Sequence, residues 1–167
     1  MKIAKMGFSE GTHILRKEND ELKNRLEKAR TSAPAGSEYL QQGDDVFELN
    51  FRYYNAGSQN SKVNLSWNNI FYLIAPLMMD EATEEELHNE LRQYLRDIIE
   101  KKIRIRPNRI DVNNIDFQTI KVQLIALGLI FKSDKKRSIK DSGAYWSLTP
   151  YGETMMMQLR ALKKDVL

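Results

Sequence analysis

The sequence predicts a mainly helical fold with a small β component (α+β). A coiled-coil-like N-terminal helix and a β-hairpin precede a helical domain, which a second hairpin and a last helix close. Three observations carry that expectation. Residues 13–30 repeat apolar side chains at heptad spacing in a strongly charged background. VFELNFRYY at 46–54 sets Phe47, Leu49, Phe51 and Tyr53 against Glu48, Asn50 and Arg52, the period of a half-buried strand. Residues 116–160 read in order as helix, strand, basic loop, strand and helix.

Bulk properties narrow the class. A chain of 167 residues is long enough for one cored domain and an appendage. There is no cysteine, so disulfides, thiolate zinc sites and thiol nucleophiles are excluded, and His13 and His88 are the two histidines. The longest apolar run, at 70–79, falls well short of the roughly 20 residues that cross a bilayer, and Pro76 interrupts it. With no secretory apolar segment at the start, a cytoplasmic protein without membrane association is expected. The net charge of +3 is unevenly spread. Residues 1–40 hold eight basic and six acidic side chains, residues 41–100 four and eleven, and residues 101–167 fourteen and six. A surplus of +8 in the last segment suits a phosphate-binding surface, and the acidic middle confines it to one side. A solvated basic face is the plainer alternative.

The elements follow in order. Residues 1–12 carry no pattern and are expected to be a flexible start. Residues 13–30 are expected to form a dimerising helix, with Leu15, Leu22 and Ala29 at one heptad core position and Asn19 and Leu26 at the other. An asparagine at an a position pairs with its mate and favours a two-stranded coil in one register. A homodimer is therefore expected, against the alternative of a lone charged helix. Residues 31–43, small, polar and broken by Pro34 and Gly36, read as a linker. Residues 44–167 read as one domain with a leading hairpin. Its first strand is VFELNFRYY, its turn AGSQNS at 56–61, and its second strand KVNLSW at 62–67.

A helix follows from Trp67, with Trp67, Ile70, Phe71, Ile74, Leu77 and Met78 on one face and a stop near Pro76. Thr83 and Glu86 form a capping box, and Glu84, Glu85 and Glu86 occupy the first turn of the next helix. Its stripe is Leu87, Leu91, Tyr94, Leu95 and Ile98, Pro107 forbids its continuation, and His88 is expected at the surface. About a dozen residues then intervene where a compact helix-turn-helix uses three or four, and Ile110 and Val112 suit a short strand there. The helix from Asp116 buries Phe117, Ile120, Leu124 and Leu127, with Ile125 beside them, and Gly128 ends it. Trp146 faces inward on the last strand and Tyr145 outward. Pro150 and Gly152 open a final, methionine-rich helix.

Chemistry by acid, base or nucleophile is not expected. There is no glycine-rich phosphate loop, metal-ligand spacing or nucleophile elbow, and the glutamates at 84–86 and Glu90 suit a helix N-terminus. No catalytic residue, metal or cofactor is expected. Binding chemistry is better represented. Gln118, Thr119, Lys121 and Gln123 lie opposite the buried stripe of the Asp116 helix, where glutamine suits adenine edges and lysine suits guanine or phosphate. Arg104, Arg106 and Arg109 cluster just upstream. Lys132, Lys135, Lys136, Arg137 and Lys140 fall within nine residues on the hairpin loop, where they suit phosphates without reading sequence.

The order of elements, with ALGLI at 126–130 and WSLTPYG at 146–152, resembles a winged helix-turn-helix. WNNIFYLIAPLMMDEATEEELHNEL at 67–91, IDFQTIKVQLIALGLI at 115–130 and WSLTPYGETMMMQLRA at 146–161 are similar to the C-terminal region of a group of large bacterial proteins. Their N-terminal domain is of uncharacterised, nucleotide-hydrolase or TIR-like type. The resemblance implies a non-catalytic module and assigns no site residues. Two readings follow: binding of double-stranded DNA as a dimer, or protein interaction and oligomerisation within a larger bacterial signalling or defence protein. DNA binding expects Lys121, Lys135, Lys136 and Arg137 on one face. The interaction reading expects the apolar coil and the methionine helix to make the main contact.

Overall fold

A computed structural model describes residues 3–135, 138, 141 and 143–164. Along the chain lie α1 (Ile3–Thr31), β1 (Val46–Tyr54), β2 (Ser58–Ser66), α2 (Trp67–Ile74), β3 (Ala82–Thr83) and α3 (Glu84–Ile103). After these come β4 (Arg109–Val112), α4 (Asn114–Ala126), β5 (Ile130–Lys132), β6 (Tyr145–Leu148) and α5 (Pro150–Arg160). The result is a mixed α/β architecture, with five α-helices and two small antiparallel sheets among the described residues. None of the described helices is long and apolar enough to cross a membrane.

α1 is longer than expected, because the region read as a flexible start is helical from Ile3. Helix growth is cooperative: once residues 13–30 have nucleated, each residue upstream adds a hydrogen bond without a new nucleus. Ala4, Lys5 and Met6 are good helix formers, and Gly7 and Gly11 cost only about 1 kcal/mol each. From Gly11 to its end the helix is exposed on every side.

The segment read as a free linker is instead a packed strap. Ser37 is buried in a 3₁₀ turn, Ser37–Tyr39, and the Gln42 side-chain amide donates to its carbonyl at 3.0 Å. The Gln123 side chain of α4 donates to the Gln41 carbonyl at 2.6 Å. Pro34 lies over Gly128 so closely that a Cβ there would sit 2.5 Å from the proline ring. Small polar residues with Pro and Gly report the absence of helix and strand, not the absence of tertiary contact.

In the first sheet, of order β2-β1-β4, β1 pairs β2 from Val46 opposite Ser66 to Tyr54 opposite Ser58. The turn is therefore shorter than expected: residues 55–57 suffice, because Ala56 and Gly57 both take positive φ. Residues 58–61 join the strand although they are polar. Asn60 accepts from Arg52 Nε at 3.0 Å, and Gln59 accepts from the Tyr53 hydroxyl. The expected short strand near Ile110 and Val112 is β4, antiparallel to β1. The inward side chains Leu49, Phe51, Leu65 and Ile110 enter the core.

The second sheet has the order β3-β6-β5. Its two-residue β3 pairs Ala82 with Trp146 and Thr83 with Tyr145. Ser66 caps α2 by accepting from Asn69 N at 3.1 Å, and Pro76 turns its continuation into the 3₁₀ segment Ala75–Met78. The capping box of α3 is present: Thr83 Oγ1 accepts from Glu86 N at 3.2 Å, and Glu86 accepts from Thr83 N at 2.7 Å. α3 buries Leu87, Leu91, Leu95 and Ile99, so Ile99 takes the place expected for Ile98. α4 begins earlier than Asp116, because Asn113 caps it by accepting from Ile115 N and Asp116 N. Asp116 ties α4 to β1, accepting from Asn50 N at 2.7 Å and from its side-chain amide at 2.9 Å. Thr149 caps α5 by accepting from Gly152 N at 2.9 Å. These elements close over one core that includes Ile70, Phe71, Met78, Phe117, Ile120 and Leu124.

Candidate interaction surfaces

α4 buries Phe117, Ile120 and Leu124 as expected, and Leu127 is buried at its C-cap, but Lys121 is buried with them. The sequence pattern puts Lys121 with Gln118 and Thr119 on the outward face, whereas it is only 7% exposed. It lies four residues after Phe117 and three before Leu124, so a regular helix carries it on the apolar side. Two features make that burial tolerable. Its ammonium ion-pairs with Glu84 from the first turn of α3. It also lies 5.3 Å from the Phe117 ring centroid and 5.2 Å from that of Trp146. Gln123 is also turned from open solvent, towards the strap. The outward strip is therefore Ile115 (75% exposed), Gln118, Thr119, Val122 (64%) and Ile125 (43%). It carries no charge, and Ile125 lies outside the core it was expected to flank.

Beside Lys121, His88 is half-buried where a surface position was expected. Its ring stacks on Phe117 with centroids 3.6 Å apart and planes at 29°. Burial, then the nearby Arg92 guanidinium, pushes the imidazole below its usual pKa. Among the described residues, His88 Nδ1 and Trp146 Nε1 are buried without a hydrogen-bond partner.

The upstream arginines are mostly engaged. Arg106 pairs with Glu100 at 2.6 Å and lies 3.9 Å from Asp97. Arg109 pairs with Asp111 at 2.7 Å and lies 5.2 Å from the Tyr54 ring centroid. Burial works against ionisation of Asp111, yet hydrogen bonds from Arg109 and Tyr54 hold its carboxyl below the usual value. Arg104 ends α3 in the left-handed conformation at φ 61° and is exposed.

At the base of the basic hairpin Lys132 and Lys135 are exposed, and Lys135 Nζ lies 3.5 Å from the Glu81 carboxylate. Lys136, Arg137 and Lys140 lie outside the described residues. The Tyr145 hydroxyl donates to Asp141 at 3.0 Å, while Trp146 is buried as expected. Lys121 and Lys135 thus share no charged face, one being buried and the other exposed. Among the described residues no group of three or more histidines or carboxylates is placed to hold a metal ion.

The heptad stripe of α1 is uncovered. Leu15 is 65% exposed, Leu22 63% and Leu26 46%, and Asn19 and Ala29 are exposed with them. α1 lies beside the methionine helix α5, where Met156 is buried and Met157 exposed. No family model, no curated protein and no solved structure matches this chain.

Proposed function

We propose that this chain is a non-catalytic protein-interaction and oligomerisation module on a winged-helix frame, whose partner through α1 is a second copy of itself. The observation that carries this reading is the uncovered row of Leu15, Leu22 and Leu26 at heptad spacing, with Ile14 exposed beside it, on a helix whose residues 16–30 are otherwise mostly charged. Two further features support it. The strip that α4 turns to solvent is uncharged, with its lysine directed inward. The order β3-β6-β5, with α4 just ahead of the β5–β6 hairpin, is the arrangement that a winged-helix reading calls for. In a larger bacterial signalling or defence protein, such a module would gather copies of whatever is joined to it.

Sedimentation equilibrium tests the reading directly. Wild type is expected to be dimeric and Leu15→Asp/Leu22→Asp monomeric with an unchanged circular dichroism spectrum of the body. A monomeric wild type sinks the proposal.

A second reading, binding of double-stranded DNA, is favoured by exposed Lys132 and Lys135 within a segment carrying +8. Fluorescence anisotropy with a labelled duplex across a salt series separates the two. Binding that weakens steeply with salt, with a shallower slope in Lys135→Ala/Lys136→Ala/Arg137→Ala, would favour DNA. No binding at low salt by the folded protein would leave the interaction module.

A further inference from the structure

The stripe on α1 is polar as well as apolar, and the order of its layers distinguishes one orientation of a partner from the other. With Asn19 and Leu26 at a and Leu15, Leu22 and Ala29 at d, Thr12 falls on a one heptad upstream. α1 is helical through all six positions, and all six are exposed. We infer that α1 pairs with a second copy of this chain parallel and in register, so that Asn19 meets the partner's Asn19 and the two bodies lie at the same end of the coil. The inference rests on the oligomerisation reading and adds the orientation.

Parallel pairing sets each residue against itself. The side-chain amides at 19 then hydrogen-bond to each other across the seam, and the threonine hydroxyls at 12 face each other. Antiparallel pairing sets a against d, which puts Asn19 opposite the partner's Leu22 and Thr12 opposite the partner's Ala29. Each amide would then be shut against leucine with no polar mate across the seam. The flanking charges do not choose between these arrangements. Parallel pairing brings Glu18 to the partner's Lys23 but Arg25 to the partner's Arg30. Antiparallel pairing brings Glu18 to the partner's Arg25 but Arg16 to the partner's Lys23. Attraction and repulsion balance in both, so the polar layers decide. An asparagine at a also favours two strands over three.

The chain has no cysteine, so single cysteines report the orientation cleanly. Leu15→Cys and Leu26→Cys lie on the exposed stripe, and neither disturbs the body. In a parallel dimer each full-length variant alone oxidises to a covalent homodimer. A mixture of the two, one carrying an affinity tag, gives no mixed disulfide, because sulfurs eleven residues apart on a helix are separated by about 16 Å, far beyond disulfide reach. An antiparallel dimer gives the reverse: little crosslinking of either alone and a mixed disulfide between 15 and the partner's 26. That result overturns the inference while leaving self-association intact. Dimers by sedimentation with no crosslink of any kind also overturn it, because pairing then runs elsewhere. Monomers by sedimentation remove the oligomerisation reading itself. Asn19→Leu in both backgrounds is expected to raise the dimer's melting temperature and to admit the mixed disulfide, because the selective layer is gone.

Discussion

Lys121 shows how a single side chain redirects a functional reading. Its charge suits a groove, but its position on the Phe117–Leu124 face takes it into a buried pair with Glu84 beneath two aromatic rings. Lys121→Ala is expected to cost about 1–2 kcal/mol in urea unfolding, less than a fully buried pair because Glu84 retains one-third of its side-chain exposure. Lys121→Met, which keeps the packing and drops the charge, is expected to stay within about 1 kcal/mol of wild type. A role confined to nucleic-acid contact would leave both variants as stable as wild type. His88 belongs to the same cluster and predicts a pH dependence. Its pKa is depressed in the folded state, so its contribution to stability is fully present above the usual value of 6.5 and is lost as pH falls through the folded value. Chemical denaturation of wild type and His88→Gln between pH 8 and about pH 5 checks this. The decline below 6.5 should be shallower in the variant.

Among the elements, those set by local chemistry were legible and those set by distant partners were not. Thr83 with Glu86, Pro150 with Gly152, and Gly128 after Leu127 are short-range signals, and each end lies where its signal puts it. β3 is two residues long and exists because Ala82 and Thr83 find Trp146 and Tyr145, a pairing that no local pattern announces. The polarity of residues 58–61 predicts a turn, yet β1 supplies their partners. The strap is the largest misreading at this scale, since its contacts to Gly128 and Gln123 are wholly tertiary. Gly128→Ala is therefore expected to be destabilising twice over. A side chain at φ +68° costs about 1–2 kcal/mol, and the new Cβ collides with Pro34. Adding Pro34→Ala should recover the second loss and not the first, which a double-mutant cycle by thermal unfolding resolves.

For the whole molecule, the charge blocks read from the sequence do not map simply onto surfaces. The basic segment spends Arg106 on Glu100 and Lys121 on Glu84, both carboxylates outside it, so the surplus of +8 overstates the free positive surface. The heptads, by contrast, are legible in the sequence, because their spacing is local, and their leucines stand uncovered. Self-association predicts that the wild-type melting temperature rises with protein concentration, as mass action requires. Leu15→Asp/Leu22→Asp should abolish that dependence and leave the body's own transition within about 0.5 kcal/mol, because both leucines lie outside its core.

The strap has one more consequence. The contacts of Pro34 with Gly128 and of Gln123 with Gln41 tie the strap to the body close behind α1, so the tether between a paired α1 and the α4 strip is short. Two paired copies would hold their α4 strips within a narrow range of separations. A ligand carrying two matching sites would then meet the second at high effective concentration, without the loss of chain freedom that a loose tether imposes. The spacing itself becomes a means of selection, admitting ligands whose sites match it and excluding those whose sites do not.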